Sequence, residues 1–357
     1  MASAAPIDTT IGRHHMTIPI TSVSPPTGTD WTALQNFAAL RGQFRVSLTP
    51  LCNEACWFCH NEGDVPPPHT KLHRKDRPRP GELTAADYLT VLRDVITAGL
   101  KRVYFTGGEP LLSPLARPVL TELPDAGADG SYTLITNGSL IRRNAVWLAT
   151  TRLNKVKVSL HYFSDASLYK IAGARFGIGR ILDGIDAASE IFERVELNTL
   201  LQRENAHEIL PILDYALERR FPMQFIELVD TDFNESHRDS AVPAAGLIQH
   251  LRTLTTDERT EITGVGQGRR VFRIDGVEID VIQRDLGRHH VGQCGTCHLK
   301  PRCVEGFWSL RMDHAGGVQP CLLRDDLRLD IRPHLAEEVN TASALARHLS
   351  AFTEGTL

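Results

Sequence analysis

LTPLCNEACWFCHNEG, residues 48–63, is the stretch on which the reading of this chain turns. It sets Cys52, Cys56 and Cys59 in a C-x3-C-x2-C spacing, directly after an apolar run from Phe44 to Leu48 that reads as a strand. Three thiolates so close together, with no fourth cysteine nearby, can hold three corners of a four-iron, four-sulfur cube and leave one iron open. The alternative is a zinc site with His60 as fourth ligand. Zinc usually takes its thiolates as paired C-x2-C units, which the unequal gaps fit poorly.

Downstream of this loop the chain alternates strand and helix. Thr84 predicts a helix cap, with Asp87 at the capping-box position and the helix running to about Ala98. RVYFTGGEPLL then reads as a buried strand ending in a glycine turn. SYTLITNG, a helix near Ile141 to Thr150, and KVKVSLHYF repeat the pattern. Asp165 to Phe192 is helical with a break at Gly173 to Gly179. VELNTLLQ, a helix from Ala206 to Arg219, and MQFIELVD complete six strands. Strands alternating with amphipathic helices imply right-handed βαβ units and a parallel sheet. The fold class is therefore α/β, a partial (β/α)6 TIM-like barrel, with a C-terminal domain after it.

Beyond Asp230 the rhythm changes. A helix near Ala244 to Thr253 leads into RRVFRIDGVEIDVIQ, a hairpin turning at Asp275 and Gly276, and then into a second cysteine group. The expected organisation is a loosely ordered N-terminal arm over residues 1–40, a barrel over 41–230 and a C-terminal domain over 231–357. DVPPPHTKLHRKDRPRPG, residues 64–81, is rich in proline and cations and reads as a surface loop or a flap.

Composition narrows the function classes. The 357 residues suffice for one large domain and a smaller one. A formal charge of −4 with no long basic run gives no reason to expect nucleic acid. No stretch approaches the apolar length of a membrane span, and no secretory signal is visible. All seven cysteines fall into two groups, Cys52, Cys56, Cys59 and Cys294, Cys297, Cys303, Cys321. An odd number so partitioned points to metal ligation in a reducing cytoplasm.

In a parallel barrel the chemistry sits at the strand ends, and the polar residues cluster there. Gly107, Gly108 and Glu109 end the second strand, where glycines admit a close backbone approach and a carboxylate can accept from an ammonium. Thr136 and Asn137 end the third strand and Ser159 and His161 the fourth, while Asn198 stands among apolar neighbours in the fifth. Singly, each also fits a satisfied turn or core residue.

These motifs resemble the radical S-adenosylmethionine (radical SAM) superfamily, with its three-cysteine loop, GGEP turn and polar strand ends. Within it the likeness is to the GTP 3′,8-cyclases of molybdenum cofactor biosynthesis and their relatives, over roughly Phe44 to Leu323. The resemblance implies that Cys52, Cys56 and Cys59 ligate a catalytic [4Fe–4S] cluster and that S-adenosylmethionine is the cofactor. It further implies that Phe58 meets the adenine through its backbone, Gly108 and Glu109 hold the methionine amino group, and Thr136 and Ser159 contact the rest, with Asn137 and Asn198 as additions.

Cys294, Cys297, Cys303 and Cys321, spaced C-x2-C-x5-C-x17-C, are a metal signal in their own right, and a structural zinc is the alternative. The resemblance favours a second, auxiliary [4Fe–4S] cluster in a twitch or SPASM-type domain, where the cyclase uses three cysteines and Cys303 is a fourth. Pro50 and Leu51 stand where the cyclase has Asp-Arg, Ser113 where it has arginine, and its NRLR run and terminal double glycine are missing. These are groups that would clamp a triphosphate. Lys101, Arg102, Lys157, Arg269, Arg270 and Arg311 remain as candidates to replace them. The expectation is a cytoplasmic enzyme that makes a 5′-deoxyadenosyl radical and takes hydrogen from a small-molecule or peptide substrate, drawing electrons from a flavodoxin or ferredoxin. A genuine GTP cyclase and a non-catalytic scaffold or electron carrier stand as alternatives.

Overall fold

A computed structural model describes residues 30–60, 82–228, 237–262, 267–303 and 305–357. The proposed flap and most of the N-terminal arm lie outside them. Six strands follow the expected rhythm: β1 (Gln43–Ser47), β2 (Arg102–Thr106), β3 (Ser131–Thr136), β4 (Lys155–Ser159), β5 (Arg194–Leu201) and β6 (Met223–Glu227). They lie side by side in chain order, each neighbouring pair parallel.

Alternation along each strand sorts the two faces. Phe44, Val46, Val103, Phe105, Val156 and Val158 are all fully buried under the helices. Their neighbours Arg45, Tyr104, Lys155, Lys157, Glu196 and Gln224 face the other way, so the concave side is polar.

The helix layer comprises α1 (Thr32–Ala39), α2 (Ala85–Thr97), α3 (Ala116–Thr121), α4 (Ile141–Leu148), α5 (Asp165–Ala172), α6 (Gly179–Ile191), α7 (Ile209–Glu218), α8 (Ala245–Leu254), α9 (Arg332–Ala336) and α10 (Thr341–Glu354). The local signals act as expected. Thr84 and Asp87 close a reciprocal capping box on α2, and Gly173, left-handed at φ +57°, ends α5 where the sequence pattern breaks.

The part of the chain beyond residue 237 enlarges this sheet. It contributes β7 (Glu258–Glu261), β8 (Arg269–Ile274), β9 (Val277–Ile282), β10 (Ser309–Met312), β11 (Gly317–Gln319) and β12 (Leu329–Asp330). Asp275 and Gly276, both left-handed at φ 48° and 83°, turn the β8–β9 hairpin. β9 joins β6 in parallel and β10 joins β1 in parallel. The wall thus has eight parallel strands where the rhythm alone predicts six, in the order β12-β11-β10-β1-β2-β3-β4-β5-β6-β9-β8-β7. β9 and β10 do not pair with each other, so the barrel stays open. The expected boundary near residue 231 falls among residues 229–236, outside those described, and strands from both sides of it share one sheet.

One expectation is corrected. The arm assigned to residues 1–40 is not loose to its end, because residues 32–39 form α1. Trp31, Leu34 and Phe37 are buried, the Trp31 indole donates to Ser343 Oγ on α10 at 3.2 Å, and Phe37 stacks on Phe307 at 5.0 Å. The apolar surface that makes this helix worth forming comes from the far end of the chain.

Candidate cofactor sites at the two ends of the sheet

The three-cysteine loop leaves the C-terminal end of β1 and is fastened from several sides. The Tyr88 hydroxyl on α2 donates to the Ser47 carbonyl at 2.8 Å, and the Ser113 hydroxyl to the Leu48 carbonyl at 2.8 Å. Asn53 accepts from the Asn137 side chain at 2.8 Å and donates to Ser139 at 2.9 Å. The last turn of α5 supplies two carbonyls, Ala172 to the Ala55 N–H and Ile171 to the Trp57 N–H.

The glycine pair serves this loop. The Gly108 N–H donates to the Thr49 carbonyl and the Glu109 N–H to the Leu51 carbonyl, each at 2.7 Å. A Cβ on Gly108 would stand 2.1 Å from the Leu51 oxygen, and one on Gly107, at φ +137°, 2.4 Å from that of Thr49. The close approach that the glycines permit is therefore that of the cysteine loop itself.

Glu109 is fully buried. Its carboxylate accepts from the Thr136 hydroxyl at 2.8 Å, the Asn137 N–H at 2.9 Å and the Leu111 N–H at 3.1 Å. Burial pushes it up to about 7, against the pull of those donors. Thr136 and Asn137 are thus joined to Glu109 and, through Asn53, to the cysteine loop. Phe58 sits edge-on to His161 at 5.0 Å. His161, pulled down to about 4 by burial, is neutral, and its Nδ1 accepts from the Leu200 N–H. Ser159 and Asn198 are register partners on β4 and β5, and the buried Asn198 Oδ1 has no hydrogen-bond partner.

The donor set fits a cluster held at three corners. Burial raises the Cys52 and Cys56 thiols well above their ordinary value. Glu54 adds to this, and so does the mutual proximity of the three cysteines. Cationic iron reverses such a shift by ligating the thiolates. Glu54 itself is raised to about 8 by burial, with the Tyr162 hydroxyl opposing, and its Oε2 lies 3.5 Å from Cys56 Sγ.

The second cysteine group sits at the other end of the sheet. Cys294, Cys297 and Cys303 precede β10, which is parallel to β1, and Cys321 follows β11, which is antiparallel to β10. Both connections lead to the N-terminal edge of the parallel strands. All four cysteines line one cavity, together with His290, Leu299, Lys300, Leu323 and Phe352, so Cys303 joins the other three. Among the described residues no three His, Cys, Asp or Glu side chains converge on a single-ion position. A five-residue strand spans roughly 16 Å, which sets the scale between the two sites.

Between them, Ser159, Asn198, Gln224 and Asp280 are successive register partners across β4, β5, β6 and β9. Lys157 donates to Gln224 and pairs with Glu196, each at 3.3 Å. Asp280 Oδ1 is buried without a hydrogen bond, and burial raises this carboxyl to about 6.

Most of the cations proposed for a triphosphate are already paired. Lys101 meets Asp129 at 3.0 Å, Arg269 meets Glu261 and Asp280 at 2.6 and 2.7 Å, Arg270 meets Glu258 at 2.9 Å, and Arg311 meets Glu305 at 2.6 Å. Arg102 donates to the Arg41 carbonyl and the Tyr104 hydroxyl. Sequence reasoning missed Tyr88, Asn53, Ser139, Gln224 and Asp280. Asn53 and Ser139 adjoin motif residues, and that adjacency is the one signal that marked them.

Fold and site together define a class: an open parallel α/β barrel with a thiolate loop on its first strand and a glycine–glutamate turn on its second. The family model described as the Radical SAM superfamily matches residues 46–216, and the chain belongs to that superfamily. A GTP 3′,8-cyclase of Rhodopirellula baltica is 27% identical over 85% of this chain and 83% of its own length. A probable GTP 3′,8-cyclase of Methanopyrus kandleri is 30% identical over 72% of this chain and 81% of its own. Among solved structures, Streptococcus suis SuiB bound to S-adenosylmethionine aligns with a TM-score of 0.55 at 15% identity, over 78% of this chain. The chain spans 60% of SuiB, less than two thirds of it, and the likeness is one of fold. The protein is thus an enzyme of the class that uses a [4Fe–4S] cluster and S-adenosylmethionine. None of its described helices is long and apolar enough to cross a membrane.

Proposed function

We propose that this enzyme abstracts hydrogen from a polar small molecule or peptide held in the barrel lumen. A catalytic cluster on Cys52, Cys56 and Cys59 closes one end of that lumen, and an auxiliary cluster on Cys294, Cys297, Cys303 and Cys321 the other. The observation that carries this reading is the placement of two cysteine sets at opposite ends of one polar-lined wall. When bound, the first cluster and S-adenosylmethionine supply a 5′-deoxyadenosyl radical.

The chain's own residues receive and orient the partners. Phe58 and Gly108 offer backbone to the cofactor, and Ser159, Asn137 and Asn198 offer polar groups on adjoining strand ends. Glu109 and Thr136 hold the tips of β2 and β3 together, with the cofactor's ammonium as a further donor to Glu109. Below them, the unpartnered oxygens of Asn198 and Asp280 suit a substrate carrying hydroxyl or amine donors. The domain division at about residue 231 is then one of role, cofactor on one side and auxiliary ligands on the other.

The second reading is GTP 3′,8-cyclisation, favoured by the names of the relatives. Against it stands the pairing of the cations that would hold a triphosphate. Anaerobic reconstitution with dithionite and S-adenosylmethionine should yield 5′-deoxyadenosine, and its absence would sink the enzyme reading. Addition of GTP should give no cyclic nucleotide. Formation of that product would decide for the cyclase.

A further inference from the structure

The four C-terminal cysteines share their surroundings with one arginine that no motif singles out. Arg324 Nη1 donates to Cys297 Sγ at 3.5 Å. Its Nε donates to Asp326 at 2.6 Å, and Nη2 completes the fork on the same carboxylate. The Arg324 side chain is only 15% exposed, whereas Asp326 is 56% exposed. One end of the guanidinium is therefore anchored at the surface and the other is aimed at sulfur. Lys300 and His290 also line the cavity, and among the described residues that line it there is no carboxylate. Burial lowers the His290 imidazole from its ordinary value, and the nearby Lys300 and Arg288 add to this. At the first cysteine loop the neighbour is a carboxyl group instead, with Glu54 Oε2 3.5 Å from Cys56 Sγ.

We infer that Arg324 tunes the auxiliary cluster, raising its reduction potential by donating a charged N–H to the Cys297 sulfur. This rests on the auxiliary-cluster reading. The physical cause is simple. A reduced cluster carries one more negative charge, and a positive donor fixed on a ligating sulfur stabilises that form over the oxidised one. Arg324 acts through the ligand and touches no substrate, so it is a positioning residue.

The test is an anaerobic, EPR-monitored redox titration of the reconstituted full chain, comparing wild type with Arg324→Met, which keeps the apolar stem. S-adenosylmethionine added in parallel marks the signal of the open cluster and so separates the two. At a fixed potential the reduced-to-oxidised ratio of the auxiliary cluster should fall about tenfold, equivalent to about 59 mV for a one-electron couple. Iron and sulfide content should not change. Arg324→Lys, which keeps charge without the fork, should fall in between. An unchanged ratio with the cluster intact would overturn the inference. Should Arg324→Met lose the cluster, Arg324→Lys and Arg324→Gln decide instead: a potential below wild type supports the inference and a wild-type potential refutes it. A failure of the underlying reading looks different, since wild type would then hold about four iron atoms rather than about eight.

Discussion

The two cysteine sites reach their geometry by different means. At the first, the loop is laced to β1, β2, β3, α2 and α5 by hydrogen bonds and by two glycines that admit its backbone. At the second, Cys294 ends one short 3-10 turn, Gly292–Cys294, and Cys303 follows another, Lys300–Arg302, while Cys297 and Cys321 lie in neither, and all four line one cavity. The first site is fastened by elements from across the fold; the second is held mainly by its own turns and by the end of the chain, where Gln293 donates to the Leu357 carbonyl at 3.0 Å. On the auxiliary-cluster reading, a ligand set held mainly by its own turns draws more of its order from the metal, and binding energy there becomes folding energy.

The sharpest way to probe this contrast is to remove one ligand at a time. Cys52→Ala should abolish 5′-deoxyadenosine formation while the other cluster's iron, about four atoms per chain, is retained. Loss of both clusters together would mean that the sites are not independent. Next in size is removal of iron from the whole protein with a chelator. Hydrogen exchange measured by mass spectrometry should then show residues 291–303 and 321–324 losing protection, while residues 48–59 keep theirs. Equal loss at both ends would break the distinction.

A smaller effect is expected from Gly108→Ala. The new methyl group meets the Leu51 carbonyl, a contact only backbone movement can relieve, and should destabilise the protein by about 1–3 kcal/mol in denaturant melts. The accompanying loss of iron should be confined to the first site. Tyr88→Phe is the mildest. It strips a donor from the buried Ser47 carbonyl at a cost of about 1 kcal/mol, and the radical chemistry should continue at near wild-type rate. A large loss of activity without loss of stability would show that this lacing does more than support the loop.

Much of the first site could be read before the fold was known, because its determinants are local. The cysteine spacing, the glycine turn, the Thr84–Asp87 cap, the Gly173 break and the Asp275–Gly276 turn each lie within a few residues of what they specify. The misses are non-local. Nothing in TALQNFAA marks α1 as buried until α10 covers it, and α1 has no side-chain cap of its own. SLRM is too short to declare itself a barrel strand, and β10 earns that place only by pairing with β1. α10 is different: Asn340 at its start and Gly355 at its end are ordinary helix signals that were there to be read. The lumen was half legible. Alternation in KVKVS exposes the lysines to one face, but that Glu196 would neutralise both depends on β5 arriving alongside.

The pairing of β1 with β10 also bears on how the molecule is made. On the ribosome, β1 emerges about 260 residues before its partner and is left as an open sheet edge, a template for unwanted association, until the last sixth of the chain is synthesised. Closing that edge brings in the segment between Cys303 and Cys321. On the proposed reading, maturation of the auxiliary centre and protection of the strand beneath the radical site are bound into one late event, and cells starved of iron–sulfur assembly should lose this protein to aggregation or proteolysis before they accumulate an inactive form of it.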